Sequence, residues 1–161
     1  MKKQNLLVGL IIIFIVVLIG SIGYFSATKN QKTVTVKVFF SNSKEDPQAL
    51  NCEKVYSVER QIFENKSTPQ SALEELLKGP TAEEQESGYF TNINSDVSIN
   101  SFLIEGDTVK VDFNEQLEYQ LGGSCRVIAI RSQIEGTLVQ FSGIENVLIS
   151  INGRTEDILQ P

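Results

Sequence analysis

Residues 6–25 carry no charged side chain, and this run sets the terms for everything after it. Leu6 to Phe25 is interrupted only by Gly9, Gly20, Ser21 and Gly23. As a helix, twenty residues extend about 30 Å, the thickness of a bilayer's hydrocarbon core. Lys2 and Lys3 flank its near end. A cleaved signal peptide is the rival reading. The length of the run, the small-residue pair Ser21 and Gly23 inside it and the lack of a following lipobox cysteine favour an uncut signal-anchor. The expected layout is a cytoplasmic N-terminus at 1–5, a transmembrane helix at 6–25, a linker at 26–33 and an extracytoplasmic domain at 34–161.

Charge along the chain narrows the partners. All 20 acidic residues but only 10 of the 14 basic ones lie after residue 33, so the domain carries a net −10. Such a body repels phosphate backbones, which argues against nucleic acid. Lys29 and Lys32 nearly balance Lys2 and Lys3, so charge alone does not orient the anchor. The cysteines do so better. Both lie beyond the anchor, at Cys52 and Cys125, which fits an oxidising compartment outside the cytoplasmic membrane. Closing that loop would stabilise the fold by roughly 4 kcal/mol in the chain-entropy treatment. Two buried free thiols are the alternative.

Within the domain, periodicity lays out seven elements. Val34, Val36, Val38 and Phe40 alternate with Thr35, Lys37 and Phe39 as a strand. Cys52 to Ile62 reads as a second strand of mixed polarity, suited to a sheet edge. Thr68 as N-cap, Pro69 at the first helical position, the stripe Ala72, Leu73, Leu76 and Leu77, and the stop Gly79-Pro80 define a helix. Thr81 to Asn94 follows as a turn or short helical piece, with Tyr89, Phe90 and Ile93 tucked inward. Val97–Glu105 and Thr108–Phe113 flank Gly106-Asp107 as a hairpin. Val127, Ile130, Ile134, Leu138 and Phe141 share one face of a helix expected from Ser124 to Phe141, capped by Ser124 and stopped by Ser142-Gly143. Val147, Ile149 and Ile151 mark the last strand, Asn146–Asn152. Helices separated by a hairpin predict an α+β two-layer sandwich, two helices packed on one small mixed β-sheet.

Catalytic chemistry finds little footing. The chain has no His, so a Ser or Cys nucleophile lacks its usual base. Asp107, Asp112 and Glu115 gather near the hairpin as a glycosidase-like carboxylate set. With no Trp to form a sugar platform, a solvated acidic face is the better reading. Asn92, Asn94 and Asp96 imitate the opening of a calcium loop, but Val97 and Leu103 stand where Gly and Glu are required. Two Cys without His make no zinc site. No catalytic residue, metal ligand or cofactor is therefore expected. Arg60, Arg126, Arg131 and Arg154 read first as partners for the abundant carboxylates.

Several local patterns follow one another in order: Val36-Lys37-Val38-Phe39-Phe40, Val55 through Arg60, Leu76-Leu77-Lys78-Gly79-Pro80-Thr81 and Gly88-Tyr89-Phe90-Thr91-Asn92-Ile93. Val111-Asp112-Phe113 and Gly123-Ser124-Cys125, with Ile130, Gln133-Ile134 and Thr137-Leu138, complete the set. Together they resemble the GerMN domain of bacterial sporulation and spore-germination proteins. The resemblance covers roughly residues 33 to 161, in one copy rather than two. It implies a non-catalytic, membrane-attached module outside the cytoplasm, with a fold like the ring-building motifs that associate laterally, helix face against sheet edge. The expected partner is an envelope protein or a second copy of the chain. The candidate surface is the second strand's edge and the helix residues Arg126, Arg131 and Glu135, with Arg60. The second reading is a binding module for cell-wall glycan, peptidoglycan included, or a small ligand, in a cleft near Asp112, Asn114 and Glu115.

Overall fold

The computed structural model describes residues 32–48, 50–64 and 67–160, together with Phe14 and Val17. The expected anchor at 6–25 and most of the linker at 26–33 lie outside the described residues, apart from Phe14 and Val17, which are helical and exposed. Among the described residues, no helix is long and apolar enough to cross a membrane. Val34–Pro161 forms one compact unit with its own core.

That unit is built on strand β1 (Thr33–Asn42), whose alternation sorts its side chains to two faces. Val36, Val38 and Phe40 are at most 3% exposed, while Thr35 and Lys37 stay in solvent. Strand β2 (Tyr56–Phe63) lies beside β1 as an edge, in keeping with its mixed polarity, but begins four residues later than expected. Helix α1 (Thr68–Leu77) buries Ala72, Leu73 and Leu76, each leucine side chain worth up to about 1.5–3 kcal/mol when fully removed from water. Thr68 is its first residue rather than its cap; Ser67 holds the cap position, because Pro69 is best placed within the first turn. Gly79, at φ +76, ends the helix as expected.

Helix α2 (Ala82–Glu86) is only five residues long and is held by a capping box. The Glu84 N–H donates to Thr81 Oγ1 at 3.3 Å, and the Thr81 N–H donates to Glu84 Oε2 at 2.8 Å. Two-residue strand β3 (Tyr89–Phe90) then pairs antiparallel with Ser41 and Asn42 of β1. Strands β4 (Ile99–Glu105) and β5 (Thr108–Phe113) form the expected hairpin, with Gly106 at φ +63 in the turn. A 3₁₀ turn (Glu115–Glu118) buries Leu117. Strand β6 (Asn146–Ile151) runs parallel to β5.

Helix α3 (Ser124–Leu138) buries Val127, Ile130, Ile134 and Leu138 as the spacing predicts. Two of its details differ from expectation. Gly123, at φ +83, occupies the N-cap position, so Ser124 is the first helical residue and no side chain caps the helix. Only a residue without a Cβ takes that backbone conformation cheaply. The helix also ends at Leu138 instead of Phe141. The Gln140 side chain donates to the Thr137 carbonyl at 2.6 Å, occupying the acceptor that the next helical turn would need.

The same Gln140 explains why one mixed sheet becomes two three-stranded sheets, ordered β2-β1-β3 and β4-β5-β6. Ser43 donates its N–H to the Gly88 carbonyl on the β3 side of β1, and by alternation Phe39 and Lys37 face that same side. Beyond the two residues of β3, α3 covers this edge. The Lys37 N–H donates to Gln140 Oε1 at 2.8 Å, Gln140 Nε2 returns a bond to the Lys37 carbonyl at 2.6 Å, and the Phe39 N–H donates to Thr137 Oγ1 at 3.2 Å. A side-chain ladder has replaced the strand that would have joined the sheets. The fold is thus α+β, with two small sheets and helices around one principal core.

Candidate functional site

Cys125 sits in the first turn of α3, and Cys52 lies in the loop that precedes β2. The structure bridges them, with Cα atoms 5.1 Å apart and a sequence separation of 73. The loop is organised before the bridge closes it. The Asp46 carboxylate accepts from the Leu50 and Asn51 N–H groups at 3.2 and 3.1 Å, and Asn42 Oδ1 accepts from the Lys44 and Glu45 N–H groups at 2.8 and 3.3 Å. Such side-chain-to-backbone bonds make a turn with no help from a sheet.

Beside the bridge lies a cavity of about 140 Å³, lined by both cysteines and by Ser41, Asn92, Ala129 and Phe90, among others. Ser41 and Asn92 belong to a polar network that links β1, the segment after β3 and α3. Asn92 Nδ2 donates to Ser41 Oγ at 2.8 Å, the fully buried Gln133 donates to the same oxygen at 3.3 Å, and Thr91 Oγ1 donates to Gln133 Oε1 at 2.9 Å. Sequence reading placed Gln133 within the family pattern but had no signal for its role as a buried acceptor and donor. A period of 3.6 reports burial and says nothing of hydrogen-bonding partners.

A second concavity, about 620 Å³, runs between α3 and the segment entering β2. Ile128, Arg131 and Glu135 line it from the helix, with Val139 just past the helix end, and Glu53 and Val55 from the other side. Of the candidate interaction residues, Arg131 and Glu135 are therefore together here. Arg60 is elsewhere: its guanidinium forms a two-pronged ion pair with Glu84, with side chains only 13% and 17% exposed, tying β2 to α2. The hydrogen bond from Arg60 holds the Glu84 carboxyl below its ordinary value against the opposing pull of burial, and Glu84 raises Arg60 in return. Arg126 is also occupied. Its guanidinium donates to the Asn92 carbonyl at 3.2 Å, the Gln120 carbonyl at 3.4 Å and Asn94 Oδ1. Arg154 pairs with Glu118. Arg60 and Arg154 are thus partners for carboxylates.

The residues expected to form a cleft, Asp112, Asn114 and Glu115, are put to other uses. Asp112 Oδ1 accepts from Ser150 Oγ and the Gly153 N–H, both at 2.7 Å, and its Oδ2 accepts from Asn100 at 3.1 Å. Burial pushes its pKa up, but those three donors outweigh it and hold the carboxyl below its ordinary value. Asn114 clamps the loop before β4, donating to the Asp96 carbonyl at 2.9 Å and accepting from the Ser98 N–H at 3.2 Å. Glu115 is exposed and opens the 3₁₀ turn. Among the described residues, no group of three His, Cys, Asp or Glu side chains is placed to hold a metal ion.

Comparison with known proteins agrees with this architecture. The tandem GerMN domains of the sporulation protein GerM from Bacillus subtilis superpose with a TM-score of 0.59 at 25% identity, over 76% of this chain. The chain spans 40% of the length of that tandem structure. The first GerMN domain of the same protein superposes with a TM-score of 0.54 at 24% identity, covering 76% of this chain and 85% of that one, a likeness of fold. No curated protein matches the sequence. The family described as Germane, sporulation and spore germination, matches residues 37–157, well over half of the chain. With that span and this fold, the chain belongs to the Germane family.

Proposed function

We propose that this chain is a non-catalytic adaptor, held in the cytoplasmic membrane by residues 6–25 and presenting its single Germane domain outside, where it associates with an envelope protein or with a second copy of itself. The observation that carries this reading is the pairing of an open sheet edge with a charged groove. Among the described residues, β2 has β1 on one side and no strand on the other, and the groove between α3 and the segment entering β2 carries Arg131 and Glu135 side by side. A sheet edge supplies backbone donors and acceptors in register, and the neighbouring charges supply selectivity.

The chain's chemistry supports a role in binding over turnover. It has no His, and both cysteines are tied in the bridge, so neither offers a free thiolate. The test is sedimentation of the full-length chain across a concentration series, alone and with an envelope extract, beside the double charge reversal Arg131→Glu, Glu135→Arg. Association that weakens in the variant supports the reading. A chain that stays monomeric and retains nothing from the extract, or a variant that behaves as the parent does, overturns it.

A further inference from the structure

The cavity beside the bridge has unspent hydrogen-bonding capacity of a specific kind. Ser41 Oγ accepts two bonds, from Asn92 and Gln133, and the residue is 8% exposed, yet its own proton has no acceptor among the described residues. Asn92 spends its Nδ2 on Ser41, which leaves its Oδ1 as an acceptor in the wall. Asn51 accepts the Glu53 N–H on its Oδ1 at 3.1 Å, which leaves its NH₂ as a donor. The cavity thus offers two donors and one acceptor.

Ala129, the cystine and Phe90 give apolar lining, and Asn42 beside them has its amide engaged, its Oδ1 accepting from the Lys44 and Glu45 N–H groups and its Nδ2 donating to the Ser87 carbonyl. Two donors facing one acceptor complement a secondary amide, whose carbonyl takes both donors and whose N–H meets the acceptor. The apolar wall suits a methyl group on that amide. A volume of about 140 Å³ is close to that of a cavity known to admit benzene, roughly 150 Å³, so the four non-hydrogen atoms of an acetamido group fit.

The more exposed part of the lining favours a sugar outside. Phe90 is 42% exposed, giving a flat apolar face, and Asp46 and Lys54 also line the cavity with groups that can meet hydroxyls. We propose that this cavity is a binding site for the acetamido group of an N-acetylhexosamine, with the ring resting on Phe90 and the acetyl methyl against Ala129 and the cystine. The site is separate from the α3 groove and does not depend on the adaptor reading.

Saturation-transfer NMR on the full-length chain, in a detergent without amide groups, tests it with N-acetylglucosamine, glucosamine and glucose as probes. The acetyl methyl is expected to show the strongest saturation, with little from the two sugars that lack it. Ala129→Leu fills the cavity and should abolish the signal. Asn51→Ala removes an exposed donor outside the core and should weaken binding about fivefold. The second variant keeps the test decisive if the first does not fold. No saturation of N-acetylglucosamine, equal response from glucose, or unchanged binding in Asn51→Ala overturns the proposal.

Discussion

Removing the Cys52–Cys125 bridge should shift the balance mainly through the unfolded chain. Both sulfurs lie at the rim of the domain, at the end of a self-organised loop and at an exposed first turn of α3, so reduction removes few core contacts. With a sequence separation of 73, the chain-entropy relation gives about 4.4 kcal/mol at 25 °C. Unfolding entropy near 2.1 cal/mol/K per residue, over about 130 residues, amounts to about 0.27 kcal/mol/K, so the thermal midpoint should fall by about 16 °C. The assay is urea unfolding of the oxidised chain against Cys52→Ala, Cys125→Ala, followed by circular dichroism. The slope of free energy against urea should also rise, because an uncrosslinked unfolded chain exposes more surface. A loss below about 1 kcal/mol with an unchanged slope refutes the reasoning, since a constraint on a loop this long acts on the unfolded state or hardly at all.

Glu84→Gln removes one partner of the shielded Arg60 pair and the carboxylate of the capping box, and should cost about 2–3 kcal/mol at pH 7 by urea unfolding. Because the folded carboxyls of Glu84 and Asp112 titrate below their ordinary values, the unfolded state binds more protons as pH falls through that range. The stability they contribute is therefore complete above the ordinary carboxylate pKa and is lost as pH falls through the lowered folded values; Glu84→Gln should show a shallower acid limb. Gly136→Ala sets a helix-propensity gain of about 1 kcal/mol against an overpacking cost of about 1–3 kcal/mol. The new Cβ would stand 3.2 Å from Phe39 Cγ on a strand pinned by Thr137 and Gln140, so net destabilisation is expected, and in a Phe39→Ala background, which lacks that Cγ, the added Cβ should no longer destabilise. Gln140→Ala should cost about 0.5–1.5 kcal/mol, since the bonds to Lys37 are solvent-exposed. It should also raise self-association in sedimentation, because it uncovers a β1 edge that the helix now blocks.

Local chemistry alone determined most of the elements. Alternation at Val36, Val38 and Phe40, the punctuation Pro69 to Gly79, the turn at Gly106 and the helical stripe from Val127 to Leu138 are each properties of a few neighbouring residues, and the structure honours them. The pairing of two lone cysteines was also within reach, because two cysteines leave a single intramolecular connectivity. What local chemistry left open depends on residues distant in sequence. The partner of Arg60, the groups bonded to Asp112, and whether β1 gains another strand or the side chains of Thr137 and Gln140 depend on contacts across 24 to 103 residues. Hydrophobic period reports which face is buried, but a polar side chain's partner is a matter of three-dimensional reach. So the elements were legible in the sequence, and the division into two sheets and the cavity beside the bridge arose only when the chain closed on itself.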